Sequence, residues 1–293
     1  MHDTSAWAAI AAARDHDPAT RLPFLIDGVL VGSVAHQHLH ALAAHPQALA
    51  LHADAVHLLA PPPQRDAALA AINAALREAG LVVGWRDELY AVVDRQGAQP
   101  LARIERAASR FWGTLTFGAH CNGYVADAAG RPTHLWIARR SLTKPTDPGL
   151  LDNLVGGGVP AHQSPRETLI REGWEEAGLT PQQMQAAQPG RVIHLRRNIP
   201  EGLQQEWLYV FDLALPAGLQ PANQDGEVAE LRLLPATEAL RCAAAGEMTV
   251  DAALATLDFA LRHHLLPPAE HAELAVRFER LLADTAATAF QRI

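Results

Sequence analysis

The stretch Gly156-Gly157-Gly158-Val159-Pro160-Ala161-His162-Gln163-Ser164-Pro165-Arg166-Glu167-Thr168-Leu169-Ile170-Arg171-Glu172-Gly173-Trp174-Glu175-Glu176-Ala177-Gly178-Leu179 decides the fold of the second half of the chain. Its residue types spell a helix with both ends marked. Ser164 is an N-cap, Pro165 sits at the first helical position, and Glu167 completes a capping box. Gly178 stands where a left-handed C-cap is wanted. A helix over 164–177 follows. At about 100° per residue, Glu172, Glu175 and Glu176 share one side. Leu169, Ile170, Gly173, Trp174 and Ala177 share the other, which is expected to face the core.

Three carboxylates at i, i+3 and i+4 repel one another by a few tenths of a kcal/mol per pair. A divalent cation removes that repulsion. Hard Mg²⁺ takes oxygen ligands, usually one or two carboxylates together with substrate phosphates. The glycines ahead of the helix let backbone approach closely. A solvated acidic face is the commoner origin of an isolated Glu-x-x-Glu-Glu. Here the loop, the cap, the Arg171-Glu172 pair and Gly178-Leu179 occur together at fixed spacing, which favours a metal-carboxylate helix beside a phosphate-sized cavity.

Gly157, Arg171, Glu172, Glu175, Glu176, Gly178 and Leu179 match the Nudix box, G-x5-E-x7-R-E-U-x-E-E-x-G-U with U aliphatic, and the chain resembles that superfamily. Gln163 departs from it where the first Glu belongs, and Gly173 departs at the first aliphatic position. Gln163 retains an acceptor for Arg171 without the charge. Gly173 weakens the helix by roughly 1 kcal/mol against Ala, and close packing of a strand is expected there. Further segments are similar to a Nudix subgroup carrying an N-terminal domain of the DUF4743 type, found in fungi fused to thiamin pyrophosphokinase. They are 24–28, 84–86, 104–108, 117–125, 135–141 and 148–153, with Lys144. The resemblance implies an α/β/α Nudix sandwich with a mixed sheet, preceded by a small α/β domain. It also implies Mg²⁺, with Mn²⁺ as a substitute, and hydrolysis of a small-molecule diphosphate. Thiamin diphosphate analogues, oxothiamin and oxythiamin diphosphate, are the expected substrates, cleaved to the monophosphate plus phosphate. Glu172, Glu175, Glu176 and Arg171 are then the catalytic set, and Glu227, in Asp225-Gly226-Glu227-Val228, is a further metal carboxylate at the head of a strand, with Glu230 a weaker candidate. Arg140, Lys144, Gly157 and Gly158 are the substrate-binding set; Arg139 is a neighbouring basic residue.

The rest of the 293 residues divides into an N-terminal α/β domain (1–112), a Nudix domain (113–262) and a C-terminal helical tail (263–293). Asp27-Gly28 and Gln96-Gly97 mark turns between strand candidates, and the alanine-rich segments near 7–13 and 66–79 read as helices. Lys and Arg total 24 against 32 Asp and Glu, a net charge of −8. No basic excess remains to neutralise a nucleic-acid backbone, so a polymeric nucleic-acid partner is not expected. No apolar run reaches the ~18 residues of a membrane span. Two cysteines and no basic leader fit a reducing cytoplasm.

Three other readings remain open. The same machinery serves an ADP-ribose or nucleoside diphosphate pyrophosphatase. His120-Cys121-Asn122 invites comparison with the isopentenyl diphosphate isomerases of the same fold, but neighbouring strand residues point to opposite faces, and a packed cysteine is the expectation. A Nudix module that binds ligand without catalysis is disfavoured by the intact carboxylates. The alternating His36, His38 and His40 are expected at the surface. The N-terminal domain has two candidate roles, shaping the pocket or forming a homodimer surface.

Overall fold

The computed structural model describes residues 7–94 and 99–283. Helix α1 (Ala8–Ala12) is followed by strands β1 (Arg21–Ile26) and β2 (Val29–Ala35). Asp27 and Gly28, at φ 50° and 76°, make the expected hairpin turn between them. Residues 36–42 form a 3₁₀ turn and the short α2 (Leu39–Leu42). The weak strand signal at 48–59 resolves into two strands, β3 (Leu49–Leu51) and β4 (Val56–Leu58), and the four strands pair in the order β2-β1-β4-β3. Helix α3 (Arg65–Glu78) buries Leu69, Ile72 and Leu76 in the same core. A two-stranded ribbon of β5 (Leu89–Val93) and β6 (Pro100–Glu105) then leads to α4 (Ala108–Trp112). The Gln96-Gly97 turn lies outside the described residues.

The ribbon joins the two halves through strand alternation. Tyr90 and Val92 sit in the core of the N-terminal half, whereas Ala91 and Val93 sit in that of the second half. Each face is committed to a different core, and this seats the N-terminal half against the segment that follows the glycine triplet. Ala161 donates its backbone N–H to the Leu89 carbonyl at 2.8 Å.

The second half is built on seven strands: β7 (Leu115–Ala126), β8 (Pro132–Arg140), β9 (Leu151–Asp152), β10 (Val155–Gly158), β11 (Gln188–Ile199), β12 (Gly202–Ala214) and β13 (Val228–Pro235). Their path is β11-β12-β7-β8-β13, with β10 on β7 and β9 on β8. The sheet is mixed, since β12 runs parallel to β7. One edge of β7 serves two partners. Gly118–Cys121 pair with β10 and Gly123–Ala126 with β8, so the sheet forks at Asn122. Asn153 donates to Asn122 Oδ1 (3.0 Å) across the fork, and Asn122 donates to Asp212 (3.2 Å).

Helix α5 (Pro165–Ala177) and α6 (Pro181–Met184) cover one face of this sheet. Helices α7 (Ala236–Ala244), α8 (Val250–Arg262) and α9 (Pro268–Glu279) cover the other, giving the α/β/α sandwich. On β7, Phe117, Ala119 and Cys121 point to α5. Two terminal segments join the α8 layer. Trp7, Ile10 and Ala13 are buried there, as are Leu274, Phe278 and Leu281. Each large apolar side chain so buried contributes about 1.5–3 kcal/mol, so the described part of 263–293 is packed onto the second half.

Candidate active site

Each glycine of the triplet faces a side chain that leaves no room for a β-carbon. At Gly156 that atom would lie 2.9 Å from His120 Cε1. At Gly157 it would lie 2.7 Å from Glu172 Cγ and closer still to the carboxyl. At Gly158 it would overlap the Tyr90 hydroxyl. Since side chains alternate along a strand, Gly157 faces α5 while Gly156 and Gly158 face the opposite side of the sheet. β10 is thus a thin backbone partition with α5 on one side and residues of the N-terminal half on the other.

The helix forms as its caps require. The capping box of Ser164 and Glu167 is present in both directions, and Gly178 has φ 64°. Arg171 holds the carboxylates in place, donating to Glu175 Oε2 (2.6 Å), Glu172 Oε1 (2.8 Å) and Gln163 Oε1 (3.3 Å). Gln163 also accepts from Thr168 Oγ1 at 3.0 Å. The amide therefore fills the structural part of the missing carboxylate's place.

Glu176 is the buried member, with 5% of its surface exposed. One oxygen accepts the Gly156 N–H (2.8 Å), and the other lies 3.3 Å from Lys144 Nζ. Burial pushes its carboxyl up to about 8 despite Lys144 and that amide. Burial also raises Glu172, only partly offset by Arg171. Lys144 Nζ bridges to Glu227 Oε2 at 2.6 Å, which brings the strand-head carboxylate into the same cluster. Burial works against the ammonium, but Glu176 and Glu227 outweigh it and hold its pKa above the ordinary value. Burial raises Glu227 too, yet its bond to Lys144 prevails and leaves it low.

Several expectations change here. Trp174 is 50% exposed, and the buried arc of α5 contains Glu176 beside Leu169, Gly173 and Ala177. The arc is rotated because the helix packs on the edge of β10, where a carboxylate meets a free strand amide. Gly173 makes room for a side chain and not a strand: a β-carbon there would lie 2.5 Å from Met184 Sδ. Arg140, expected to bind substrate, lines the cleft described below and also bonds Asp152 Oδ2 (2.8 Å) and the Thr146 carbonyl (2.8 Å), latching the 141–150 loop. Lys144 touches carboxylates. Arg139 and Glu230 pair with each other at 3.6 Å. Cys121 is buried on the α5 side with its thiol raised by desolvation, while His120 turns the other way and bonds Asn153 Oδ1 at 2.8 Å.

A cleft of about 360 Å³ opens on the His120 side of β10. Gly156, Gly157 and Gly158 form part of its wall. Glu172 lies across the strand and Glu176 at its edge, so the cleft abuts the carboxylates without being lined by them. The N-terminal half contributes Tyr90, Arg106 and Arg110, and β12 contributes Glu206. Gln204 donates to Glu206 Oε2 (3.3 Å) and to Asp251 Oδ2 (3.1 Å), joining two acids at the start of α8. Burial and the Asp251 charge both raise Glu206. None of Tyr90, Arg106, Arg110, Glu206 or Asp251 was singled out from sequence as a site residue. They come from distant segments without a motif. Only Arg106, inside one of the subgroup-like segments, carried a signal.

The description "NUDIX domain" matches residues 120–254, and "Domain of unknown function (DUF4743)" matches residues 6–116. An uncharacterized Nudix hydrolase, orf19, of Rhodococcus erythropolis is 32% identical over 152 residues, covering 49% of this chain and 75% of that one. The chain belongs to the Nudix family. Nudix hydrolase 24, chloroplastic, of Arabidopsis thaliana is 35% identical over 212 residues, covering 72% of this chain and 58% of that protein. For Nudix hydrolase 20, chloroplastic, of the same plant, the figures are 36% over 214 residues, 72% and 56%. This Nudix chain thus spans less than two thirds of those two relatives.

The donor set fits a hard divalent cation, being oxygen-only: Glu172, Glu175, Glu176 and Glu227. The near-buried Glu176, whose ionised form burial disfavours, would gain most from a cation beside it. Among the described residues no three metal-ligating side chains converge into a ready cage. Arg171 and Lys144 occupy the carboxylates instead, acting as built-in counter-cations.

Proposed function

We propose that this Nudix protein hydrolyses a small organic diphosphate with the help of a divalent cation, Mg²⁺ foremost and Mn²⁺ as a substitute. The substrate class is the thiamin type, oxothiamin or oxythiamin diphosphate, released as the monophosphate plus phosphate. The observation that carries the reading is the meeting of two features at one strand. Glu176 sits at the edge of β10 and Glu172 across it, with Glu175 and Glu227 tied to them through Arg171 and Lys144, and a polar cleft with walls of both signs adjoins the strand. Arg106 and Arg110 suit phosphate. Glu206, Asp251 and Gln204 suit a ring system that carries positive charge or N–H donors, as oxythiamin does. Relatives bearing the name Nudix hydrolase support the hydrolytic reading.

Attack of water on phosphorus is a matter of positioning and charge neutralisation. Glu172, Glu175, Glu176 and Glu227 would hold the cation, which when bound neutralises phosphate charge and acidifies a water. Arg171 fixes Glu172 and Glu175 in orientation. The Gly156 amide orients Glu176, and Gly157 admits Glu172 to the strand. Glu175 and Glu227, the members most open to solvent, are placed to pass the water's proton onward.

The test is phosphate release from oxothiamin, oxythiamin and thiamin diphosphates, with ADP-ribose and isopentenyl diphosphate alongside. Chelation should abolish turnover and Mg²⁺ restore it. Nucleotide release from ADP-ribose alone would move the substrate to nucleoside diphosphate derivatives. Isomerisation of isopentenyl diphosphate without phosphate release would mark an isomerase. Binding without turnover would mark a regulatory module.

A further inference from the structure

The ribbon and α4 of the N-terminal half place one cation at the junction of the cleft and the catalytic helix. Arg106 donates from Nη1 to Glu88 Oε2 at 2.9 Å, and its guanidinium carbon stands 5.5 Å from the centre of the Tyr90 ring. Among the described residues, Glu88 is the only hydrogen-bond or ion-pair partner of its guanidinium. The side chain lines the cleft and is 37% exposed, so the rest of its donor fork faces that space. Its guanidinium carbon lies 3.5 Å from the point that a β-carbon on Gly158 would occupy, and the neighbouring Gly157 backs onto Glu172. Arg106 and Glu172 therefore stand on opposite sides of a partition one backbone thick. Arg106 thus lines the cleft on the side of β10 that faces away from the carboxylates of α5.

We infer that Arg106, held by Glu88 and Tyr90, is a substrate-binding residue through which the N-terminal half grips the diphosphate group. The assignment rests on the diphosphate-hydrolase reading above. A guanidinium offers paired N–H donors to phosphate, and one pinned by a carboxylate and an aromatic ring is already ordered before ligand arrives. The absence of side chains at Gly158 and Gly118 is what admits Tyr90 and Glu206 to this part of the cleft, since a β-carbon at Gly118 would overlap the Glu206 carboxylate.

The test compares wild type with Arg106→Gln, Arg106→Lys and the control Arg103→Gln. Arg103 lies on the same ribbon but pairs with Asp66 at the surface. Binding of imidodiphosphate, a non-hydrolysable diphosphate, is measured by titration calorimetry with Mg²⁺, and KM and kcat are measured on whichever diphosphate the wild type turns over. Loss of one charge-assisted contact predicts that Arg106→Gln weakens Kd and raises KM about 10- to 100-fold, while kcat falls less than about threefold. Arg106→Lys should show a loss of at least about threefold, and Arg103→Gln none. Wild-type Kd in a folded Arg106→Gln overturns the inference; if that variant does not fold, wild-type Kd in Arg106→Lys overturns it. Wild type that binds imidodiphosphate through Arg106 but cleaves no diphosphate would sink the hydrolase reading and leave the grip standing.

Discussion

Replacing Gly157 by alanine separates the catalytic role of the glycine triplet from its role in folding. Gly157 does not have a left-handed φ, so alanine is admissible to the backbone. By itself the change would add about 0.4–1 kcal/mol by narrowing the unfolded ensemble. The new β-carbon, however, falls 2.7 Å from Glu172 Cγ and nearer to its carboxyl. The whole side chain must swing away. It then forfeits its 2.8 Å bond to Arg171, a charge-assisted contact of about 1.5–3 kcal/mol. An off-rotamer position adds about 0.5–1.5 kcal/mol. The balance is a loss of about 1–4 kcal/mol, seen as a fall in Tm of several degrees. Activity should suffer far more, because a catalytic group moved by an ångström costs on the order of 100-fold. The assay is Mg²⁺-dependent phosphate release beside a thermal melt, with Gly218→Ala as reference. Nothing lies within 4 Å of a β-carbon at Gly218, so that variant should be neutral or slightly more stable. A folded Gly157→Ala protein with kcat within threefold of wild type would refute the placement of Glu172.

Glu176→Gln should lower kcat by on the order of 1,000-fold or more, with an unchanged circular dichroism spectrum. Removing a buried carboxylate should leave metal-free stability equal or higher; unchanged hydrolysis would remove Glu176 from the cation site. Gly173→Leu restores the aliphatic residue of the box but meets Met184, so it should destabilise by about 1–3 kcal/mol. Met184→Ala in the same chain should recover at least ~1 kcal/mol of that by urea titration, and strict additivity would disprove the contact. The buried Cys121 thiol is raised above its ordinary 9.0. The unfolded chain therefore sheds that proton first, and stability should fall by ~1.4 kcal/mol per pH unit as pH climbs past 9. Cys121→Ala should flatten that alkaline slope in melts from pH 8 to 10.5; an unchanged slope would mean that the thiol is not held neutral.

Much of the site was legible because its determinants are local. The ends of α5 follow from Ser164, Glu167 and Gly178, and the opposite facing of His120 and Cys121 follows from strand alternation. What failed involved partners far away in sequence. Periodicity alone put Glu176 outside and Trp174 inside, because it cannot reveal that the helix lies against a strand edge whose Gly156 N–H donates to a carboxylate. Tyr90 and Glu206 carry no motif; the fold brings them to the cleft through glycines at 158 and 118.

Trp7 sends its backbone N–H to the Ala244 carbonyl (3.0 Å), and its indole N–H reaches Glu270 Oε1 (3.5 Å), 263 positions further along. The order of synthesis therefore runs opposite to the order of assembly. The first described helix leaves the ribosome long before its seat among α7, α8 and α9 exists, and Trp7 and Ile10 must wait as exposed apolar groups. Closure of this terminus is a late, high-contact-order event. The N-terminal half can gather its own strands early, but the layer behind the larger sheet is sealed only when residues 7–13 meet α7, α8 and α9.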